Sequence, residues 1–353
     1  MKRQRILLWL FVLLLCAGGC KSDTTNAATP AADEITAVAA ISQAVEAASA
    51  TQKPIQATAE PAPATPTPQE TNLTFSIIWF SDIQNYSEHY PEITQRMTEW
   101  IAENAVRLNA KYAIVTGDFV NHRQADYEWA NAAGALSVLE GTIPLFTVAG
   151  NHDTQDDTYE TYLSFFGEAY AANVATFGGA YQGGRGRYDL LDIGDTHLLL
   201  LGMGYRIDND AMQWMNDVLA EYADRTAILC FHGYMDPDGS YTSDGKNLFV
   251  NVVAPNPNVK LVLCGHRHGV LHNAVACDAD GDGVNDHTVY QFVSDYQDEG
   301  KGGDGYLNIL TFDPASEELR VTAYSPYLDD TDYYDDEPGK ESFVLPFALH
   351  SER

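Results

Sequence analysis

Short apolar runs of strand length recur through residues 73–325, and stretches with helical spacing separate the earlier ones. LTFSIIWFS (73–81) is followed by Ile93, Met97, Trp100, Ile101, Ala105 and Leu108, which share one face of a helix. KYAIVTG (111–117) precedes a helical stretch at 124–139, and TIPLFTVAG (142–150) precedes another at 155–166. RYDLLDIGDTHLLLLGM (187–203) reads as a hairpin turning at Gly194-Asp195. A helix at 209–222 leads into TAILCF (226–231), and one at 245–254 leads into VKLVLC (259–264). The remaining chain is mostly strand, in VYQFVSDY, GYLNILTF and ELRVTAYS. Strand and helix alternating early, with strands late, predict an α/β domain with mixed sheets.

The first twenty residues read as a signal peptide. MKRQR is a basic opening, ILLWLFVLLLC is an apolar stretch too short to span a bilayer comfortably, and AGGC sets small residues directly before Cys20. That ending fits a bacterial lipobox, although Ala17 stands where leucine is commonest. The expectation is an extracytoplasmic protein, lipid-anchored to the cell membrane through Cys20, with that anchor its only membrane contact. Residues 21–70 are rich in Ala, Thr, Pro, Gln and Ser and end in PAPATPTPQE. Such a segment buries too little apolar surface to offset its ordering entropy, so it reads as a disordered tether. Residues 71–353 remain as one large domain, long enough for a full core.

The formal charge is −30, from 50 acidic against 20 basic residues. A basic face for nucleic acid is therefore not expected, and any phosphate chemistry needs local cations. The domain holds only Cys230, Cys264 and Cys277, which read as small buried strand residues rather than a disulfide framework.

The chemistry gathers just after the apolar strands. Asp82 and Gln84 follow the first, on one side of the chain if it stays extended. Gly117-Asp118 follows the second, with Asn121 and His122 close behind, and Gly150-Asn151-His152-Asp153 follows the third. His232 comes after 226–231, and Gly265-His266-Arg267-His268 after 259–264. An aspartate at the end of a buried strand is costly unless something pairs with it. Open α/β sheets gather ligands at the carboxyl ends of their strands, so these residues can converge. Each motif alone is weak, whereas the ordered set points to a metal centre.

This set resembles the calcineurin-like metallophosphoesterase superfamily over residues 74–270. The family order is Asp-x-His, Gly-Asp, Gly-Asn-His-Asp/Glu, a lone His and Gly-His-x-His; here it reads DIQ, GD, GNHD, H and GHRH. The resemblance implies a β-sandwich of mixed sheets flanked by helices, in four α/β/β/α layers. It implies two divalent ions (Mn, Fe, Zn or Mg) bridged by Asp118. Asp82, Gln84 and His268 would hold one ion, and Asn151, His232 and His266 the other. His152 would stand beside the phosphate as acid or charge stabiliser, oriented by Asp153. The implied reaction is hydrolysis of a phosphomonoester or phosphodiester, in a small molecule or a polymer, by a hydroxide shared between the ions. Such a pair of dications supplies the local positive charge that so acidic a chain needs to bind an anion.

Gln84 departs from that pattern. An amide in place of an imidazole leaves the formal charge unchanged but suits Mg²⁺, Mn²⁺ or Ca²⁺ better than zinc. Either the first position binds its ion more loosely, or the glutamine hydrogen-bonds the shared water. Separately, DADGDGVND (278–286) sets Asp278, Asp280, Asp282 and Asp286 at spacings found in calcium loops, with Val289 where a bidentate glutamate is usual. The bland reading is an exposed run of Asp-Gly turns. An alternative to the enzyme is therefore a catalytically inactive calcium- or ligand-binding surface protein on the same fold. Gln84→His is expected to tighten divalent-metal binding, measured by titration calorimetry on the metal-free protein. Unchanged affinity would place this side chain away from the metal.

Overall fold

The computed structural model describes residues 73–154 and 158–349. They fall in the second of the two units into which the chain divides, Pro66–Arg353. The expected signal peptide with Cys20, all of the expected tether, and residues 155–157 of an expected helix lie outside the described residues.

In chain order the elements begin with β1 (Phe75–Phe80), α1 (Gln84–His89), α2 (Pro91–Asn104), β2 (Ala110–Val115), α3 (Asp126–Leu136) and β3 (Leu145–Thr147). Then come α4 (Glu160–Phe166), α5 (Glu168–Ala171), β4 (Phe177–Tyr181), β5 (Gly186–Ile193), β6 (Thr196–Met203) and α6 (Asn209–Glu221). After these are β7 (Thr226–Phe231), α7 (Ser243–Leu248), β8 (Val259–Cys264), β9 (Gly269–Cys277) and β10 (His287–Asp295). The last are β11 (Leu307–Asp313), β12 (Glu318–Ser325), β13 (Asp330–Thr331) and β14 (Phe343–Pro346). The 187–203 stretch is the expected hairpin, Ile193 pairing with Thr196 across Gly194-Asp195. Gly194 takes φ +58°, a conformation open to glycine without Cβ strain.

Two seven-stranded sheets result. One runs β13-β12-β11-β1-β2-β3, with β14 also on β12, and the other β4-β5-β6-β7-β8-β10-β9. In the first, β1, β2 and β3 are parallel and β11 is antiparallel to β1. In the second, β6, β7, β8 and β10 are parallel.

Strand parity explains why the sequence shows apolar runs instead of clean alternation. In β1, Phe75, Ile77 and Trp79 enter the core that also holds Leu198, Ile228 and Leu261 of the other sheet. Ile78 and Phe80 turn the opposite way, onto Ile93, Met97 and Ile101 of α2 and Trp129 of α3. On the second sheet, Leu201, Leu229 and Val262 meet Met215 and Leu219 of α6. Strands covered on both faces must be apolar throughout. The result is the expected four-layer α/β/β/α sandwich of mixed sheets. Cys230 lies in the inter-sheet core and Cys264 in the helix-facing one, and both are free thiols, as is Cys277.

One polar network interrupts the inter-sheet core. Arg187 on β5 grips Asp189 with two bonds of 2.6 Å and also donates to the Leu145 carbonyl at 3.1 Å. Asp189 accepts the Tyr112 hydroxyl from β2 as well, so the network joins the two sheets. Breaking such a pair leaves an uncompensated buried charge. Asp189→Ala is therefore expected to lower unfolding free energy by about 3–5 kcal/mol in denaturant titration. A loss under about 1 kcal/mol would show that this ion pair does not hold the sheets.

Candidate metal centre

The parallel strands of both sheets deliver their carboxyl ends to one shared edge, where the backbones interlock. Asp82 N–H donates to the Gly117 carbonyl, and Gly265 N–H to that of His232, both at 3.0 Å. The chain bends sharply at three of the sequence candidates: Asp82, Asp118 and His266 take φ of +57°, +53° and +69°. Each such conformation costs of the order of 1–3 kcal/mol and persists only when its surroundings over-determine it. Here the surroundings are other members of the site. His266 N–H donates to Asp82 Oδ2 and His152 N–H to Asp118 Oδ1, each at 2.9 Å. Glycine permits the approach, since a Cβ on Gly150 or on Gly265 would lie 2.1 Å from the carboxylate oxygen of Asp118 or Asp82.

The turn at Asp82 also alters the expected relation to Gln84. The chain does not stay extended there, and Gln84 is the first residue of α1. The two are nonetheless brought to one place, both 1% exposed.

Asp118, His232 and His266 offer ligand atoms within 4.8 Å of one another. His232 Nδ1–H donates to the Thr116 carbonyl at 2.9 Å, across the two sheets, which leaves Nε2 facing the site. That nitrogen is 3.3 Å from Asp118 Oδ2 and 3.0 Å from Asn151 Oδ1. Burial lowers the His232 pKa, but Asp118 and Asp82 more than reverse this, to about 10. Burial raises Asp118, and His232 then brings it below its ordinary value. His266, half-buried and beside His232, is pushed down to about 4 by that desolvation and the neighbouring imidazole. The pocket thus demands positive charge at His232, and a bound metal would take the place of that proton.

The other group is arranged differently. Among the described residues, Asp82, Asp118 and His268 do not form an equally compact set. Asp82 Oδ1 and Gln84 Oε1 are buried without a hydrogen-bond partner. Burial raises the Asp82 pKa well above the carboxylate range, and Asp295 reinforces this. The Gln84 amide nitrogen lies 3.4 Å from Asp118 Oδ2 and also donates to Gln297 Oε1. The Gln297 amide nitrogen in turn donates to His268 Nε2 at 2.6 Å, while His268 Nδ1 pairs with Asp298 at 2.5 Å.

His152 is partly exposed, with Nε2 4.0 Å from Asp118 Oδ2. Its Nδ1 bonds the Asn121 carbonyl at 3.0 Å, the orienting contact expected from Asp153. Asp153 instead accepts the backbone N–H groups of Phe119 at 2.8 Å and Gly150 at 2.7 Å. It thereby pins together the loops that carry Asp118 and Asn151, and burial pushes its pKa up to about 7. A second buried carboxylate, Glu128, accepts Asn121 N–H at 2.7 Å and so holds the carbonyl that orients His152.

Asp295 and Gln297 escaped the sequence reading. Asp295 ends an apolar strand as Asp82 follows one, so the same signal could have found it. In the 278–286 run, Asp278, Asp280 and Asp282 offer oxygens within 4.8 Å of one another, on an exposed loop between β9 and β10. Asp286 instead accepts Ala279 N–H at 2.6 Å.

The sequence pattern of calcineurin-like phosphoesterases matches residues 75–270. A Bacillus subtilis protein, YvnB, is 40% identical over 280 residues, 78% of this chain but 22% of its own length. A Moraxella catarrhalis protein named probable cyclic nucleotide phosphodiesterase is 25% identical over 56% of this chain and 73% of its own. The purple acid phosphatase PPD1 of yellow lupin seeds shares the fold, with a TM-score of 0.52 and 13% identity over 81% of this chain and 56% of the lupin chain. With its family pattern matched over more than half its length, the chain belongs to the calcineurin-like phosphoesterases.

Proposed function

We propose that the chain is a metal-dependent hydrolase that cleaves phosphomonoester or phosphodiester bonds at a dinuclear centre, with Mn, Fe, Zn or Mg as the ions. The convergence of Asp118, Asn151, His232 and His266 beside a solvent-facing His152 carries this reading. The residues fit a metal pair. The cluster offers imidazole nitrogens and carboxylate and amide oxygens. The orphaned Asp82 Oδ1 and Gln84 Oε1 are buried acceptors of the kind a cation satisfies. Asp118, Asn151, His232 and His266 would hold one ion; Asp82, Gln84, Asp118 and His268 would hold the other.

When bound, the ions supply water activation and charge neutralisation for an in-line displacement. The chain supplies the rest. Thr116 and Asn121 fix the tautomers of His232 and His152 through their carbonyls. His152, with Nδ1 so engaged, presents Nε2 towards a phosphate oxygen or the leaving group. With both ring nitrogens protonated, it can donate the Nε2 proton there or stabilise negative charge.

The substrate would be a phosphate ester of a small molecule or a polymer. Of the tyrosines near the site, Tyr86 and Tyr234 are buried, and so are core residues. Tyr205, with its ring centroid 5.7 Å from that of His266, stays beside the centre. The Moraxella relative's name puts cyclic nucleotides among the diesters to test. The signal peptide and lipobox support a surface-tethered, extracytoplasmic enzyme anchored at Cys20.

The test uses purified full-length protein loaded with Mn²⁺ and assayed on nitrophenyl phosphate, bis-nitrophenyl phosphate and cyclic nucleotides. His152→Ala is expected to lower kcat/KM by roughly 10²–10⁴ with metal content unchanged. Metal-replete wild-type protein that cleaves none of these esters would favour the non-catalytic ligand-binding reading.

A further inference from the structure

Gln84 leaves the first metal position short of an imidazole, and the end of β10 supplies groups in the same place. β10 runs parallel to β8, so its last residue, Asp295, reaches the edge that carries His266 and His268. Asp295 is 1% exposed. Its Oδ2 lies 4.0 Å from His268 Nε2. Its hydrogen bonds are from the Gln297 backbone N–H at 2.9 Å and the Gln297 amide at 3.2 Å. No Lys or Arg pairs with it among the described residues, and a buried carboxylate is costly without a cation.

The neighbouring contacts enclose one spot. The Gln84 amide nitrogen touches both Asp118 and Gln297, and the Gln297 amide nitrogen touches both His268 and Asp295. Around it, two side chains 1% exposed present acceptors without partners, Asp82 Oδ1 and Gln84 Oε1. A ring of carboxylate and amide oxygens with one imidazole is a donor set suited to a divalent cation.

We propose that Asp295 is an anionic ligand of the first metal position, replacing the histidine that Gln84 displaces, and that Gln297 positions it. This assignment rests on the dinuclear reading of the site. It shifts the position from imidazole-rich to oxygen-rich, the donor set that favours Mn²⁺ or Mg²⁺ over zinc. The two positions would then differ in metal preference within one site.

The experiment strips purified full-length protein with chelator and titrates it with Mn²⁺, counting ions by calorimetry and reading their coupling by electron paramagnetic resonance. Wild type is expected to bind two ions as a coupled pair. Asp295→Asn, which keeps the shape and removes the charge, is expected to bind one ion normally and the other roughly 10–100-fold more weakly, with the coupled signal lost. Adding Gln84→His to Asp295→Asn is expected to restore the pair. Two ions of unchanged affinity in Asp295→Asn would overturn the proposal, as would one ion bound alike by wild type and variant. If circular dichroism shows Asp295→Asn unfolded, Asp295→Ser, which also removes the carboxylate, is the substitute, and unchanged affinity for both ions would overturn the proposal equally. His266→Ala separates the two levels of inference. Loss of an ion in that variant keeps the phosphoesterase centre whatever Asp295 does. Retention of all metal would sink the centre itself.

Discussion

Burying Asp82, Asp118, Asp153 and Asp295 at one edge of two packed sheets is the constraint on which the rest of the structure depends. Each is 1% exposed or less, where an isolated carboxylate is heavily penalised. The four are accommodated differently. Asp153 is held by backbone N–H groups, and Asp118 by His232, His152 and a backbone N–H. Asp82 and Asp295 receive backbone or amide bonds but, among the described residues, no Lys or Arg pairs with them. That imbalance separates a polar turn from a cation site.

The two sheets make the arrangement possible. Parallel strands in both layers end at the same edge, and bonds such as His232 to the Thr116 carbonyl span the layers there. Left-handed turns at Asp82, Asp118 and His266 then aim the side chains sideways into the gap. Their cost is offset by the apolar cores between the sheets and beneath the helices, whose many buried side chains tolerate a few strained residues. Gly150 and Gly265 matter for the same reason. They let backbone lie against carboxylate where any side chain would intrude.

Much of this was legible in the amino-acid order, but unevenly. Strand ends marked Asp82, Asp118, Asn151, His232, His266 and His268, because an apolar run ending in a polar residue is a local signal. The role expected of Asp153 changed: it supports loops, while a carbonyl orients His152. Side-chain identity could not reveal that, since any residue can supply the carbonyl. Asp82 and Gln84 were expected together for an extended-chain reason, yet a left-handed turn and the start of α1 bring them there.

Sequence by itself determined the α/β class with mixed sheets and the chemistry of the strand ends, since strand runs and polar terminators depend on residues close along the chain. The layered sandwich came from the family resemblance. Only the tertiary structure decided what stands beside Gln84. Gln297 meets it from 213 positions away, carried there by β10 with Asp295. Such a meeting is set by strand order in the sheet, which no local pattern encodes.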